Sequence, residues 1–184
     1  MDTLNLDAFS HGQIVSKLWL CEELEKHIVE QSQVTILGGW YNVLGFMLLT
    51  RRPTHYKSIR NIDQDVEAIR IADKITDAWV FENVKNTTQN ANDAFISNGS
   101  IVINCSVEHF ENNDWFTQLR AGTLVCIQSS DVTDPKDPWL IKQPSPTIES
   151  FLSKFPVTET LFTGTKRIQY PHFGYNRFML IGRI

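Results

Sequence analysis

The sequence has little of several features that mark specialised classes of protein. Its three cysteines, Cys21, Cys105 and Cys126, form no C-x-x-C pair and sit among apolar residues, which favours buried free thiols. No apolar run approaches the roughly 18 residues of a membrane span, and no N-terminal segment resembles a signal peptide. We therefore expect a cytoplasmic protein that makes no membrane contact.

An excess of basic residues is also missing. The net charge is −4, and the 17 Lys and Arg residues are scattered along the chain without forming a stripe. The densest pairs, Arg51–Arg52 and Lys166–Arg167, are typical of solvated surface. This balance argues against a nucleic-acid partner, although RNA stays open as an alternative.

The length and composition indicate one domain. A chain of 184 residues with 42% hydrophobic content can bury one substantial core and is too short for two ordinary domains. We predict a single domain over residues 1–184, made of an N-terminal helical segment (1–32) and an α/β core (33–184).

Helical and strand patterns alternate along the chain. Apolar periodicity predicts helices over residues 11–31, 40–49, 66–75, 114–119 and 147–155, the first opened by Ser10 and Gln13 in capping-box spacing and the last by a Thr147 cap. Short apolar or alternating runs predict strands over 33–37, 55–62, 79–84, 100–105, 123–128, 158–170 and 177–184. Residues 134–146 hold four of the seven prolines and are expected to form a loop.

This order of elements predicts an α/β fold. Repeated strand–helix units favour a mostly parallel sheet covered by helices on both faces, and the short connection 171–176 joins the last two strands into an antiparallel pair. The result is a Rossmann-like, three-layer domain with seven strands, the last of them antiparallel. In such sheets ligands bind at the carboxyl ends of the strands.

A glycine turn and an acid stand where a nucleotide site would be expected. Gly38 and Gly39 end the first strand, where they permit a sharp turn and close approach to a ligand, although a strand-to-helix turn needs glycine for its own sake. Asp63 ends the second strand, where it can accept hydrogen bonds from ribose hydroxyls. Asp65, two residues later, is expected to cap the next helix.

Three segments resemble successive motifs of class I S-adenosylmethionine-dependent methyltransferases. They are Val34-Thr35-Ile36-Leu37-Gly38-Gly39, Ile62-Asp63-Gln64-Asp65-Val66-Glu67-Ala68 and Ile101-Val102-Ile103-Asn104-Cys105-Ser106. The closing antiparallel strand is a further likeness, since nicotinamide-binding Rossmann proteins lack it. The compact chain, with His11-Gly12-Gln13 near its start and Tyr170-Pro171 near its end, also looks like small methyltransferase-like proteins of some bacteriophages.

The resemblance implies a cofactor, S-adenosylmethionine, and residues that hold it. Asp63 would bind the ribose hydroxyls, Gln64 would flank the adenine, Asn86 or Thr87 would reach the adenine edge, and Asn104 and Cys105 would lie beside the methionine part. The turn departs from the family's alternating glycines, because Trp40, Tyr41 and Asn42 follow Gly38-Gly39. Trp40 and Tyr41 are predicted to form a wall of the pocket, with core packing as the alternative for at least one of them.

Glu108 and His109, just beyond the fourth predicted strand, are the candidate catalytic residues. In this fold that position faces the transferred methyl group, and a histidine can take a proton near neutral pH. The alternative is a helix-capping glutamate beside an exposed histidine. No metal is expected, since a metal site would need further ligands such as His11 and His172.

The two ends of the chain supply candidate substrate-binding residues. Gln13 and Lys17 lie one turn apart on the first helix, and Tyr170, His172, Tyr175 and Arg177 crowd the final hairpin. These flanks could close over a substrate, although an aromatic and basic cluster also occurs at ordinary surface turns.

The sequence therefore favours a methyltransferase acting on a small molecule or a peptide group, with an undetermined oligomeric state. One alternative is a methyltransferase-like protein with a regulatory role, which binds the cofactor or no cofactor at all. Such a protein could also consume the cofactor in a reaction other than methyl transfer. A further alternative is an NAD-dependent oxidoreductase, which the spacing from Gly38 to Asp63 alone would allow; the missing third glycine and the final antiparallel strand argue against it.

Overall fold

The computed structural model describes residues 4–79, 82–133 and 141–184, which form one seven-stranded sheet flanked by helices. The strands are β1 (Ser32–Leu37), β2 (Tyr56–Asp63), β3 (Val84–Thr88), β4 (Ile101–Asn104), β5 (Leu124–Ser130), β6 (Glu159–Gln169) and β7 (Gly174–Arg183). The α-helices are α1 (His11–Leu24), α2 (Val43–Arg51), α3 (Val66–Trp79), α4 (Asp114–Thr117) and α5 (Ile148–Leu152). Short 3-10 turns span Leu6–Phe9, Ala91–Asp93 and Val107–His109.

The sheet has the order β3-β2-β1-β4-β5-β7-β6. Strands β1 to β5 run parallel, and β7 lies antiparallel between β5 and β6. This confirms the predicted fold class. Because the chain builds outward from β1 in one direction and then returns to add β4, the strand order reverses between β1 and β4, which is where α/β sheets bind ligands.

The central strands are buried on both faces because their apolar residues alternate between two cores. Ile101 and Ile103 pack with α1 and α2, whereas Val102 points to the opposite face. That second core holds Phe151 and Phe155, both almost fully buried. The nearly continuous apolar sequence of β4 and β5 therefore reflects the helices that pack on both faces of the sheet.

The predicted third strand is wrong. Residues up to Trp79 continue α3, and the strand begins only at Val84. The apolar residues at 79–84 suggested a strand, but Ile69, Ile71 and Ala72 give α3 a buried face on which the helix extends. Residues 80 and 81 of the predicted strand lie outside the described residues.

Several predicted boundaries also move. Helix α1 ends at Leu24 rather than at residue 31, because Val29 is exposed and the chain needs residues 25–31 to enter β1. Ser10 forms no side-chain cap on this helix, so the predicted capping box is wrong there. The Thr147 cap on α5 is confirmed by a hydrogen bond from the Ser150 N–H to its hydroxyl. The predicted loop over 134–146 lies partly outside the described residues.

Helix α2 begins three residues later than predicted. Trp40 and Asn42 have φ angles of 52° and 59°, in the left-handed region, so neither can belong to a right-handed helix. The glycine turn therefore continues as an irregular loop to Asn42, and α2 starts at Val43.

Candidate active site

A large cleft opens at the carboxyl ends of the parallel strands. Its volume is about 1310 Å³. Residues at the tips of the central strands line it: Gly38 after β1, Asp63 on β2, Cys105 after β4 and Ser130 on β5. Arg177, which pairs with Ser130, brings the start of β7 to the same edge. Enzyme ligand pockets commonly measure about 300–1,000 Å³, so there is room for a cofactor and a second molecule.

The glycine turn is held mainly by contacts within the protein. The N–H groups of Gly38 and Gly39 both donate to the Ile62 carbonyl, at 2.8 and 3.4 Å. A Cβ on Gly38 would lie 2.8 Å from the Phe110 ring, and one on Gly39 would overlap the Asn61 amide. Internal packing therefore requires both glycines, and their N–H groups are already engaged.

Trp40 and Tyr41 both line the cleft and also pack inside the protein. Their rings stack with centroids 4.6 Å apart, and Tyr41 belongs to a small buried cluster with Val43 and Ala68. The Tyr41 hydroxyl accepts a hydrogen bond from the Asn5 N–H at 3.2 Å. These residues thus join the N-terminal segment to the mouth of the cleft.

Asp63 lies at the cleft beside the turn. Its Oδ2 accepts the Trp40 N–H at 2.9 Å and its Oδ1 accepts the Asp65 N–H at 3.0 Å. Each carboxylate oxygen keeps a further lone pair for a ligand hydroxyl. Burial raises the pKa of Asp63, as expected where water is partly excluded. Gln64, the next residue, is exposed at the cleft.

Asp65 caps α3, as the sequence predicts. Its Oδ1 accepts the N–H groups of Glu67 and Ala68, at 2.9 and 3.2 Å. This carboxylate therefore satisfies two of the free N–H groups at the helix N-terminus.

Asn86 lies away from the cleft, within β3 instead of in a loop after it. Its Oδ1 accepts from the side chains of Asn42 and Asn61, and its Nδ2 donates to Asp73 and Thr76, so the residue ties α3 to the sheet. Thr87 is also in β3. The residues directly after this strand that do line the cleft are Gln89, Asn90, Ala91 and Asn92. The predicted strand 79–84 ends just before Asn86, whereas the observed strand runs to Thr88, so the residues that follow it lie further along the chain than the sequence indicated.

Asn104 and Cys105 occupy different positions at the tip of β4. Asn104 is fully buried outside the cleft, and its Oδ1 accepts the Ser106 N–H at 3.1 Å. Cys105 lines the cleft. The sequence does not point to Ser106, which also lines the cleft and donates from Oγ to the Gly38 carbonyl at 3.3 Å, tying the β4 tip to the glycine turn.

A buried ion pair joins Glu108 to Arg177. Nη1 of Arg177 donates to Oε1 of Glu108 at 2.6 Å, and the other terminal nitrogen donates to the Cys105 carbonyl. Both residues line the cleft and are over nine-tenths buried. Within the described ranges, Oε2 of Glu108 and Nε of Arg177 have no hydrogen-bond partner. The ion pair thus keeps one acceptor and one donor unpaired and shielded from solvent.

His109 lies at the end of the 3-10 turn Val107–His109, exposed on the rim of the cleft. It sits next to buried Glu108 in sequence, but the two side chains have very different surroundings. In the part of the chain that the structure describes, no three His, Cys, Asp or Glu side chains form a group that could hold a metal ion.

The predicted substrate-binding residues come together from both ends of the chain. Gln13, Lys17 and Tyr170 line the same cleft as Arg177. Lys17 donates to the Gln13 side-chain oxygen, and burial lowers the pKa of Lys17. The Tyr170 hydroxyl accepts the Gly12 N–H at 2.7 Å, which fixes the final hairpin against the start of α1.

Comparison with solved structures identifies the architecture. An N-methyltransferase, NodS, from Bradyrhizobium japonicum is 12% identical, with a TM-score of 0.68 over 94% of this chain and 97% of that one. The YcgJ protein of Bacillus subtilis, also 12% identical, gives 0.69 over 92% and 99%. The chain has a class I methyltransferase fold. A geranyl diphosphate C-methyltransferase from Streptomyces coelicolor, solved with Mg²⁺, geranyl diphosphate and S-adenosyl-L-homocysteine, is 9% identical, with a TM-score of 0.69 over 94% of this chain and 78% of that one.

No protein-family model matches the chain, and a search of curated proteins found no significant match. The predicted likeness to bacteriophage proteins has no support in the comparisons. No helix among the described residues is long and apolar enough to cross a membrane.

Proposed function

We propose that the protein is an S-adenosylmethionine-dependent methyltransferase acting on a small molecule or a peptide group. The observation that carries the proposal is the position of Asp63 in this fold: a half-buried carboxylate at the tip of β2, facing a cleft next to the strand-order reversal. Carboxylates at this position suit the hydroxyls of a ribose. The single domain over residues 1–184, with residues 1–32 flanking the cofactor, and the cytoplasmic location belong to the same proposal.

The residues present fit this cofactor. Asp63 has free lone pairs for two hydroxyls, Trp40 and Tyr41 offer flat apolar walls, and Cys105 presents a small side chain beside the glycine turn. Gln64 would flank the adenine. Asn86 and Asn104 would act indirectly, since their side chains hold the turn and the β4 tip from below. When bound, the cofactor supplies an activated methyl group.

The protein's task in methyl transfer is mainly alignment. Glu108, paired with Arg177, lines the floor of the cleft, where it would help to position the nucleophilic atom of the acceptor. His109, on the rim, is the candidate general base for the proton that the acceptor loses. Gln13, Lys17 and Tyr170, which line the same cleft, would contact the acceptor.

A second candidate is a protein that binds the cofactor without transferring its methyl group. One observation favours it: the Gly38 and Gly39 N–H groups are occupied by the Ile62 carbonyl, so the turn offers a ligand fewer donors than its sequence suggests. An NAD-dependent oxidoreductase is less well supported, because β7 inserts antiparallel between β5 and β6, unlike the dinucleotide-binding sheet order 3-2-1-4-5-6.

The test is to incubate the purified protein with methyl-labelled S-adenosylmethionine and cell extract, separated into small-molecule, protein and RNA fractions. We expect label in small molecules or peptides, in amounts that fall with the His109→Ala variant. Cofactor binding without labelled acceptor or cofactor breakdown would favour the binding role. Label in RNA alone would contradict the proposed substrate class.

A further inference from the structure

Two cationic side chains lie at the end of the cleft farthest from Asp63. Arg177, at the start of β7, is four strands away from β2 in the sheet, and Lys17 extends from α1 into the same region. At about 4.8 Å between neighbouring strands, Arg177 lies roughly 19 Å from the Asp63 position along the sheet. This end of the cleft is therefore separate from the proposed ribose site, and it adjoins Cys105, which is proposed to flank the methionine part of the cofactor.

One buried carboxylate, Glu108, lies beside the two cations. Arg177 pairs with Glu108, and Lys17 has the neutral side-chain oxygen of Gln13 as its hydrogen-bond acceptor. Nε of Arg177 has no acceptor among the residues that the structure covers. Burying charge without a matching partner is costly, so this floor is incompletely satisfied as it stands.

The other charged groups around the cleft are engaged elsewhere or lie on its rim. Asp131 accepts two hydrogen bonds from Asn176, at 2.8 and 2.7 Å, and Lys142 pairs with Glu111. Asp65 caps α3. Asp7 is half-buried on the N-terminal 3-10 turn at the mouth, and His109 is exposed on the opposite rim. Lys17 and Arg177 are therefore the cations at this end of the cleft. Asp7 and Glu108 attract Lys17 electrostatically, but its hydrogen-bond acceptor is the neutral Gln13.

We propose that the methyl acceptor carries a carboxylate or phosphate group that binds between Lys17 and Arg177. This inference rests on the proposed function and names its substrate class. An anion would replace the Gln13 amide as the partner of Lys17, giving a stronger, charge-assisted hydrogen bond, and would reduce the repulsion between Lys17 and Arg177. The Tyr170 hydroxyl, which accepts the Gly12 N–H, keeps its own proton to donate to the same group.

The experiment titrates two probe anions, acetate and inorganic phosphate, into protein saturated with S-adenosylhomocysteine, by calorimetry at constant ionic strength set with chloride. We expect saturable binding of at least one probe. Lys17→Met should weaken it by about tenfold, the loss of one charge-assisted hydrogen bond, and Lys17→Arg should largely restore it. Lys142→Met is the matched control, because Lys142 lines the same cleft but is paired with Glu111.

The two probes distinguish the two sources of the anionic group. Tighter binding of acetate would indicate a carboxylate acceptor, and tighter binding of phosphate a phosphorylated one. Absence of saturable binding, or equal binding by Lys17→Met, in protein that binds S-adenosylhomocysteine would overturn the anion site alone. Failure to bind S-adenosylhomocysteine would overturn the proposed function and this inference with it.

Discussion

Two aspartates, two positions apart, have different environments. Asp63 faces the cleft and accepts the N–H groups of Trp40 and Asp65, whereas Asp65 caps α3 from an exposed position. The sequence alone separates these roles, because one acid ends an apolar strand and the other precedes a helix. Their proximity provides a matched pair of variants.

Asp63→Ala is expected to weaken binding of S-adenosylhomocysteine by about tenfold or more, since hydrogen bonds to a charged group contribute about 1.5–3 kcal/mol each. Asp65→Ala should leave this affinity within about twofold and instead cost about 1 kcal/mol of stability through loss of the cap. Calorimetry and denaturant unfolding of both variants measure the two effects. Equal affinity in wild type and Asp63→Ala would refute the ribose role.

The pH dependence of stability gives an independent test of Asp63. Burial raises its pKa above the ordinary value of 3.8, so between the two values the native state holds more protons than the unfolded state. The contribution of Asp63 to stability therefore falls as the pH rises through that window. The Asp63→Ala variant should lack this fall. As the pH rises through the window, the free energy of unfolding of the variant should therefore increase relative to that of the wild type. Parallel pH profiles would show that the carboxyl is not perturbed.

The pairing of Glu108 with Arg177 could not be predicted from sequence. The residues are 69 positions apart, and their contact depends on the register that places Arg177 opposite Ser130 on β5. Apolar patterning predicts that the strands exist but does not fix which residues face each other across them.

Breaking this ion pair should be costly. Arg177→Met leaves Glu108 buried without its partner and is expected to lower the free energy of unfolding by about 3–5 kcal/mol. The double variant Glu108→Leu/Arg177→Met should recover much of that loss, because neither charge remains buried. Denaturant unfolding of the two single variants and the double variant completes the cycle. A double variant as unstable as the sum of the single ones would contradict the account.

At the level of elements, the segment from Gly38 to Asn42 shows why the site was only partly predictable. Its glycines indicate a turn and asparagine often adopts a left-handed φ, as Asn42 does, but the left-handed φ of Trp40 has no sequence signal of its own. Likewise, the late start of β3 at Val84 depends on α3 extending along its buried face, which a short apolar run cannot reveal. The elements were therefore recognised more reliably than their ends, and Asn86 was misplaced for that reason.

Gly39→Ala should disturb the turn and the ligand site together. The added Cβ would overlap the Asn61 amide and lie 2.8 Å from the Ile36 side chain, and such overpacking typically costs about 1–3 kcal/mol. Because Asn61 donates to the Trp40 carbonyl, we expect weaker binding of S-adenosylhomocysteine as well. Gly99→Ala is the control, since Gly99 has a positive φ but no neighbour within 4 Å of an added Cβ. It should lose stability without losing affinity.

At the level of the whole molecule, the sheet brings distant parts of the chain to one cleft. The alternation of strands and helices and the closing hairpin predicted this architecture, because buried parallel strands and a short antiparallel connection leave distinct patterns. The fold also explains why residues of α1 and β7 line the cleft. The antiparallel insertion of β7 places Arg177 at the edge where the parallel strands have their carboxyl ends. The nature of the ligand rests on Asp63 and the adjoining turn.

A calorimetric comparison of S-adenosylmethionine with NAD tests the central claim most directly. We predict saturable binding of S-adenosylmethionine at one site per chain, at least tenfold tighter than that of NAD and weakened by Asp63→Ala. Tighter binding of NAD, or binding of S-adenosylmethionine that does not depend on Asp63, would contradict the assignment of this cleft.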